Sequence, residues 1–268
     1  MLNTHLRTLI LSSIAVTSLS LPALANTSPS EKGAEIAKEW DARDKGFGDS
    51  SANLEMVLEN RHGEKSTRVL RIKTLEMPDT NVGDKSLTIF SKPRDIKGTA
   101  FLSFAQILEP DDQWLYLPAL KRVKKISSKN KSGPFVGSEF SYEDLSAQEL
   151  KKYNYKWLND EACGELQCSV LEQTPAYENS GYTKMIVWYD TAEYRQQKID
   201  YYDRKGSLLK TLKFTDYKQY LSKFWRAHNM YMVNHQTGKK TRLVYSDYAF
   251  QTGLKGSDLT KRKLSKVR

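Results

Sequence analysis

Asp112–Ile126 reads DQWLYLPALKRVKKI, and Gly137–Leu145 reads GSEFSYEDL. The first block is aromatic and aliphatic up to Pro118 and strongly basic after it. Trp114 to Leu117 and Arg122 to Ile126 read as two short strands paired around Pro118-Ala119. Apolar surface beside positive charge suits a ligand with an oily body and an anionic or polar head. It does not suit a catalytic site.

Working outward from this hairpin, the dominant period is two. Ala52, Leu54, Met56 and Leu58 alternate with polar residues, and Arg61-His62-Gly63-Glu64 makes a turn. Further strands are expected over 69–75, 85–91, 99–106, 153–159, 169–174, 184–190, 196–203, 208–216, 225–234 and 240–248. Turn-forming residues separate them, and Lys92-Pro93 stops the third. About a dozen strands at hairpin spacing, with no crossover helices, predict one mainly β, antiparallel sheet. A sheet this wide must curl, close or split.

Two helices are expected. In the first, Gly33, Ile36, Ala37 and Trp40 form one apolar stripe after a Ser30 cap, and Gly46-Phe47-Gly48 ends it. The second spans Ser141 to Leu150, with Ser141 and Asp144 as a weak capping box. A short helix near Asp216–Phe224 is an alternative to a turn. Helices lying across the concave face would cover its apolar side.

The chain opens with a short basic region (His5, Arg7), an apolar run from Leu6 to Leu21, and Ala23-Leu24-Ala25. That pattern predicts a secretory signal over residues 1–25 with an A-x-A cleavage site. No Cys follows the cut as a lipid-attachment site. Residues 26–268 then form one soluble domain. The formal charge is +10, which suggests an anionic partner such as lipid head groups or a membrane surface, although a merely soluble basic surface gives the same number. Export argues against nucleic acid. Cys163 and Cys168 are the only cysteines and frame a turn between two strands. In an oxidising compartment this pair reads as a disulfide.

Enzyme and metal motifs do not emerge. GxSxG, HExxH and Walker-type sequences are absent, and His62, His228 and His235 match no standard metal spacing. Asp111-Asp112 reads as a turn and Glu143-Asp144 as the first turn of a helix, so no catalytic residue and no cofactor is assigned. Alternation places Leu54, Met56, Leu70, Ile72, Leu102, Phe104, Trp114, Tyr116, Ile199 and Tyr201 on an apolar concave face, as the binding surface for acyl chains. Lys121, Arg122, Lys124 and Lys125 are candidates for contact with an anionic head group or a membrane. They are equally readable as a solvated sheet edge that blunts strand pairing.

Taken together, the hairpin WLYLPALKRV (Trp114–Val123), the preceding KGTAFL (Lys97–Leu102), GSEFSYEDL, and the Cys163/Cys168 hairpin leading to EQTP (Glu172–Pro175) carry a likeness. They resemble the outer-membrane lipoprotein-sorting-protein-like family, related to LolA-type carriers, over roughly residues 31–264. The resemblance implies a curved antiparallel half-barrel with helices plugging its mouth. It implies a Gram-negative periplasmic carrier that moves a lipid or acylated protein between an inner-membrane transporter of the RND or MMPL type and the outer membrane. The rivals are an accessory subunit of such a transporter that carries nothing, a lipid-modifying enzyme, and a structural protein of the cell envelope.

Overall fold

The computed structural model describes residues 27–79 and 81–266. The expected secretory signal, residues 1–25, lies outside them. The described residues begin with helix α1 (Pro29–Asp44) and continue through β1 (Asp49–Glu59), β2 (Lys65–Leu75), β3 (Lys85–Lys92), β4 (Ala100–Phe104), β5 (Asp112–Leu117) and β6 (Arg122–Ile126). After residues 127–152 come β7 (Tyr153–Cys163), β8 (Leu166–Pro175), β9 (Tyr182–Asp190), β10 (Gln196–Asp203), β11 (Leu208–Tyr220), β12 (Phe224–Asn234) and β13 (Lys240–Phe250), then a one-turn helix α2 (Lys261–Leu264).

All thirteen strands join one antiparallel sheet in the order 6-5-4-3-2-1-13-12-11-10-9-8-7. It consists of two meanders, β1–β6 and β7–β13, fused where β1 pairs with β13. The outer edges, β6 and β7, do not pair, so the sheet is open. This topology has a direct consequence. Residues 127–152 link the two free edges and must cross the whole sheet to do so.

Irregularities in the central strands contribute to the curvature. The β1–β13 register shifts between Ser51 and Asn53, where Asp247 of β13 takes a positive φ (53°), and Asp216 of β11 does likewise (55°). Bulges bend the strand that carries them and sharpen its twist. At the far edge, the Cys163–Cys168 disulfide forms as expected, with Cα atoms 5.8 Å apart, across the tip of the β7–β8 hairpin.

Helix α1 packs on β7 and touches β8 and β12. Its cap is Ser28, not Ser30. The Ser28 hydroxyl accepts from the Glu31 N–H, Glu31 accepts from the Ser28 N–H, and Pro29 follows the cap. Gly33 and Ala37 are buried where the helix meets the sheet. A Cβ on Gly33 would lie 2.7 Å from the Trp157 backbone nitrogen, so only glycine lets the helix settle this close.

The second expected helix does not form. Ser141 and Asp144 do exchange their capping bonds, at 3.2 and 2.7 Å. The chain then makes only isolated 3-10 turns, at Glu143–Leu145 and Leu150–Lys152. The alternative helix at Asp216–Phe224 is a strand reaching Tyr220 and a tight turn through Leu221 and Ser222. The concave face is therefore covered by one helix and a largely irregular strap, residues 127–152.

Candidate functional site

The strap is held to the sheet by buried polar bonds. Asp144 sits against Lys210 of β11 at 2.5 Å, with both side chains at most 4% exposed. Asp144 also accepts from the Tyr182 hydroxyl at 2.6 Å. Next to it, Glu143 accepts from Tyr177, Ser180 and the Gly181 N–H at 2.5–2.8 Å. The Gln113 amide of β5 donates to Tyr142 O and Ser146 Oγ. Asn234 of β12 donates to Glu139, and the Glu139 N–H donates to Thr241 of β13. Lys152 forms a buried ion pair with Asp111. Both carboxylates of Glu143-Asp144 are thus spoken for by strands β9 and β11 or the loop before β9, which explains why no helix continues from them. Phe135 inserts into the core between Phe90, Phe101 and Tyr142, with ring centroids 5.2–5.7 Å away.

Strap, helix and sheet leave a cavity of about 870 Å³, with a second of about 300 Å³ that shares part of its wall. Ile72, Phe214, Met230 and Tyr245 line both, and Trp40 of α1 closes one side of the larger. The volume is that of a small-molecule site, and these side chains give it an apolar wall. Trp225 contributes to the wall, and its indole N–H is buried without a partner. Burial pushes the Tyr245 phenol up to about 12, so it stays a neutral donor.

The larger cavity also carries charge of both signs. The residues come from separate parts of the chain: Asp41, Arg43, Asp44 and Lys45 around the end of α1, Glu76 and Asp84 between β2 and β3, Glu149 of the strap, Glu193 and Arg195 between β9 and β10, and Lys223 with Arg226 at the start of β12. Most are paired. Lys45 meets Asp41 at 2.6 Å, Arg43 meets Glu193 at 3.0 Å, and Arg226 meets Asp44. Glu76 accepts from the N–H groups of Gly46 and Gly48. Asp84 differs. It accepts from the Met77 N–H at 2.8 Å, while its own N–H donates to Glu149 at 3.2 Å. Burial first, then the nearby carboxylates of Glu149 and Glu76, push its carboxyl up to about 7. Burial likewise raises Glu149.

The residues expected on the concave face divide into two groups. Leu54, Met56, Leu70, Ile199 and Tyr201 belong to the buried cluster under the strap and α1. Ile72, Ile199 and Tyr201 line a cavity. Leu102, Phe104, Trp114 and Tyr116 do not; this part of the expectation is corrected. Leu102 pairs with Trp114 and Ala100 with Tyr116, and all of these belong to a separate cluster with Leu87, Ile89, Leu259 and Leu264 on the outer face. Their partners Phe101 and Leu115 take the inner face. The misreading has a physical origin: in β4 and β5 the outer set is at least as apolar as the inner one, because the C-terminal segment covers it.

The basic residues also split. Lys121 occupies the left-handed turn between β5 and β6, at φ 48°. In β6, Lys125 lies opposite Trp114 on the outer side, whereas Arg122 and Lys124 lie opposite Leu117 and Leu115. All four are exposed. The histidines serve neighbours: His228 with the Tyr220 hydroxyl at 2.8 Å, His235 with Thr211 at 2.8 Å, and His62 with Arg61 at 3.0 Å. Among the described residues, no three His, Cys, Asp or Glu side chains converge as a metal site.

An open antiparallel sheet that curves around a strapped cavity defines the class: a β half-barrel of the LolA type. A family model whose description reads "-like: Uncharacterized protein" matches residues 83–266. A solved domain from Vibrio parahaemolyticus, named an outer membrane lipoprotein-sorting protein domain, is 59% identical, with 88% of this chain and 99% of that chain covered and a TM-score of 0.86. A DUF1329 family protein from Desulfovibrio piger is 27% identical, covering 89% of this chain and 100% of its own, with a TM-score of 0.84. A LolA superfamily protein from Nitrosomonas europaea shares the fold at 19% identity and a TM-score of 0.69, with 86% and 98% covered. No curated protein matches the chain. The chain belongs to the outer membrane lipoprotein-sorting-protein-like family.

Proposed function

We propose that the protein is a carrier that holds the acyl chains of a lipid or acylated protein in the cavity between sheet, strap and α1. The observation that carries this reading is the cavity itself, about 870 Å³ with a wall of Ile72, Phe214, Met230 and Tyr245 and charged groups alongside. Each buried methylene contributes about 0.8 kcal/mol before association costs. The unpartnered Trp225 N–H offers a donor to an ester or carboxyl oxygen. Ile199 and Tyr201 extend the apolar wall into the smaller cavity. The name of the Vibrio relative agrees with acylated cargo. The leader and the disulfide fit a Gram-negative periplasm, and no helix among the described residues is long and apolar enough to cross a membrane. On the family resemblance, an inner-membrane transporter of the RND or MMPL type supplies the cargo and the outer membrane receives it. The reading assigns transport, not catalysis, to the cavity.

The test is organic extraction of protein purified from its own periplasm, followed by mass spectrometry, with titration of a fluorescent fatty acid alongside. One stoichiometric amphiphile is expected. Phe214→Asp should abolish probe binding, because it places an unpaired charge against an apolar ligand. An empty cavity and unchanged probe binding in the Phe214→Asp protein would sink the carrier reading in favour of a transporter subunit that carries nothing.

A further inference from the structure

The outer face of β4–β6 does not take part in the cavity. Its apolar cluster is only partly covered. Leu259 and Leu264 of the C-terminal segment bury Leu87, Ile89, Ala100 and Leu102. Toward the free edge the cover stops, leaving Phe104, Trp114, Tyr116 and Val123 half-exposed in a continuous strip. Leu120, in the turn at the end of this strip, is 63% exposed.

Cations stand on both sides of the strip. On one side is edge strand β6, where Lys125 lies 5.9 Å from the Trp114 ring, and its turn, which carries Lys121. On the other, residues 255–266 carry five Lys or Arg side chains and one acid, Asp258, all exposed. Lys85 extends over the Phe104 ring at 4.8 Å. Of the acids close by, Asp112 pairs with Lys125 at 2.7 Å and Asp258 with Lys263 at 3.1 Å, and Glu109 is exposed in the loop between β4 and β5. Indole and phenol rings with an apolar body and a polar edge, flanked by lysines with long stems, are the side chains that settle at a membrane–water boundary.

We infer that this outer face docks the protein onto an anionic phospholipid surface. The strip lies on the outside of a curved sheet. A raised apolar surface bordered by cations fits a soft, flat, negatively charged layer, and it offers no groove for a peptide. It would set the protein on the bilayer by the back of β4–β6, with the cavity on the opposite face of the sheet. The inference goes beyond the carrier reading and does not depend on what the cavity holds.

Co-sedimentation of the purified protein with phosphatidylcholine vesicles, with and without phosphatidylglycerol, tests it. Binding is expected only with phosphatidylglycerol and should fade with added salt as the Debye length shortens. Each cation near such a surface is worth roughly fivefold in partitioning, so K121Q together with K125Q should weaken low-salt binding by more than tenfold. W114S with Y116S should do the same while thermal unfolding stays cooperative. The lysine pair keeps the inference testable if the aromatic pair misfolds. Phe214→Asp, in the cavity, should leave vesicle binding intact, which separates failure here from failure of the carrier reading. Equal binding to neutral and anionic vesicles, or full binding by both double variants, overturns the inference. So does a dimer in sedimentation velocity that W114S with Y116S splits, because the strip would then be an interface between copies of this chain. Capture of an acidic protein without vesicle binding overturns it too.

Discussion

The two faces of the sheet bury similar side chains in opposite ways. On the inner face, helix α1 and the strap of residues 127–152 lie over the sheet, the strap pinned by buried ion pairs, yet they leave a large cavity beneath them. On the outer face, a short C-terminal segment lays two leucines onto β3 and β4 without any ion pair at the contact, its start tied by the Asp49 carboxylate, which accepts from Thr252 and Gly253, and leaves an aromatic strip bare. A cover over a hollow cannot be held by packing alone, because there is too little beneath it to pack against. Buried ion pairs at its anchor points fix its position, whereas the cover lying flat on the sheet combines apolar contact with a few hydrogen bonds to Asp49.

Removing the pin should therefore cost more than thinning the flat cover. Lys210→Met leaves the Asp144 carboxylate buried, with only the Tyr182 hydroxyl and the Ser141 N–H to meet it. Losing one partner of a buried pair typically costs 3–5 kcal/mol, and that is the expected loss in chemical unfolding. Adding Asp144→Asn should recover part of it, since no uncompensated charge remains. A loss below about 1 kcal/mol would mean the strap is held by Phe135 and its neighbours instead. On the outer face, Leu264→Ala removes a side chain 1% exposed at the rim of its cluster. Buried leucine truncations cost about 2–5 kcal/mol, and this one should fall at the low end because a terminal segment can relax into the space. If Leu264→Ala proved costlier than Lys210→Met, the contrast between the two covers would fail.

Much of this contrast was legible in the sequence, but not all of it. The period of two located the strands, and the disulfide and the first helix followed from Cys163/Cys168 and from the Gly33–Trp40 stripe. Which face a strand presents was not legible where both sets are apolar, as in Phe101-Leu102 and Trp114-Leu115. Only the pairing with β3 and the landing of Leu259 and Leu264 decide it. The GSEFSYEDL block reads as a helix start from the spacing of Ser141 and Asp144, and the two do make the capping bonds. What ends that helix is Lys210, Tyr177 and Tyr182, each more than thirty positions away. The charged groups at the cavity come from five separate stretches of chain, so no single stretch could have announced them.

Asp84 offers the smallest and sharpest probe of the hollow side. Its carboxyl sits at about 7 in the folded protein because burial and the neighbouring acids oppose its charge. The unfolded value is near 3.9. Between those two values the folded state keeps a proton that the unfolded state has released. Its contribution to stability is therefore fully present below about pH 4 and is lost as pH rises toward 7. Asp84→Asn cannot ionise, and its side-chain oxygen can still accept from the Met77 N–H. The variant should match the parent protein near pH 4 and become progressively more stable than it up to pH 7. The residue is half-buried, so solvent screening holds the gain to no more than about 1 kcal/mol per pH unit. Denaturant midpoints measured across that range give the difference directly. A difference that stays flat from pH 4 to 7 would show that water reaches Asp84 freely, and that the strap at Glu149 does not close this side of the cavity.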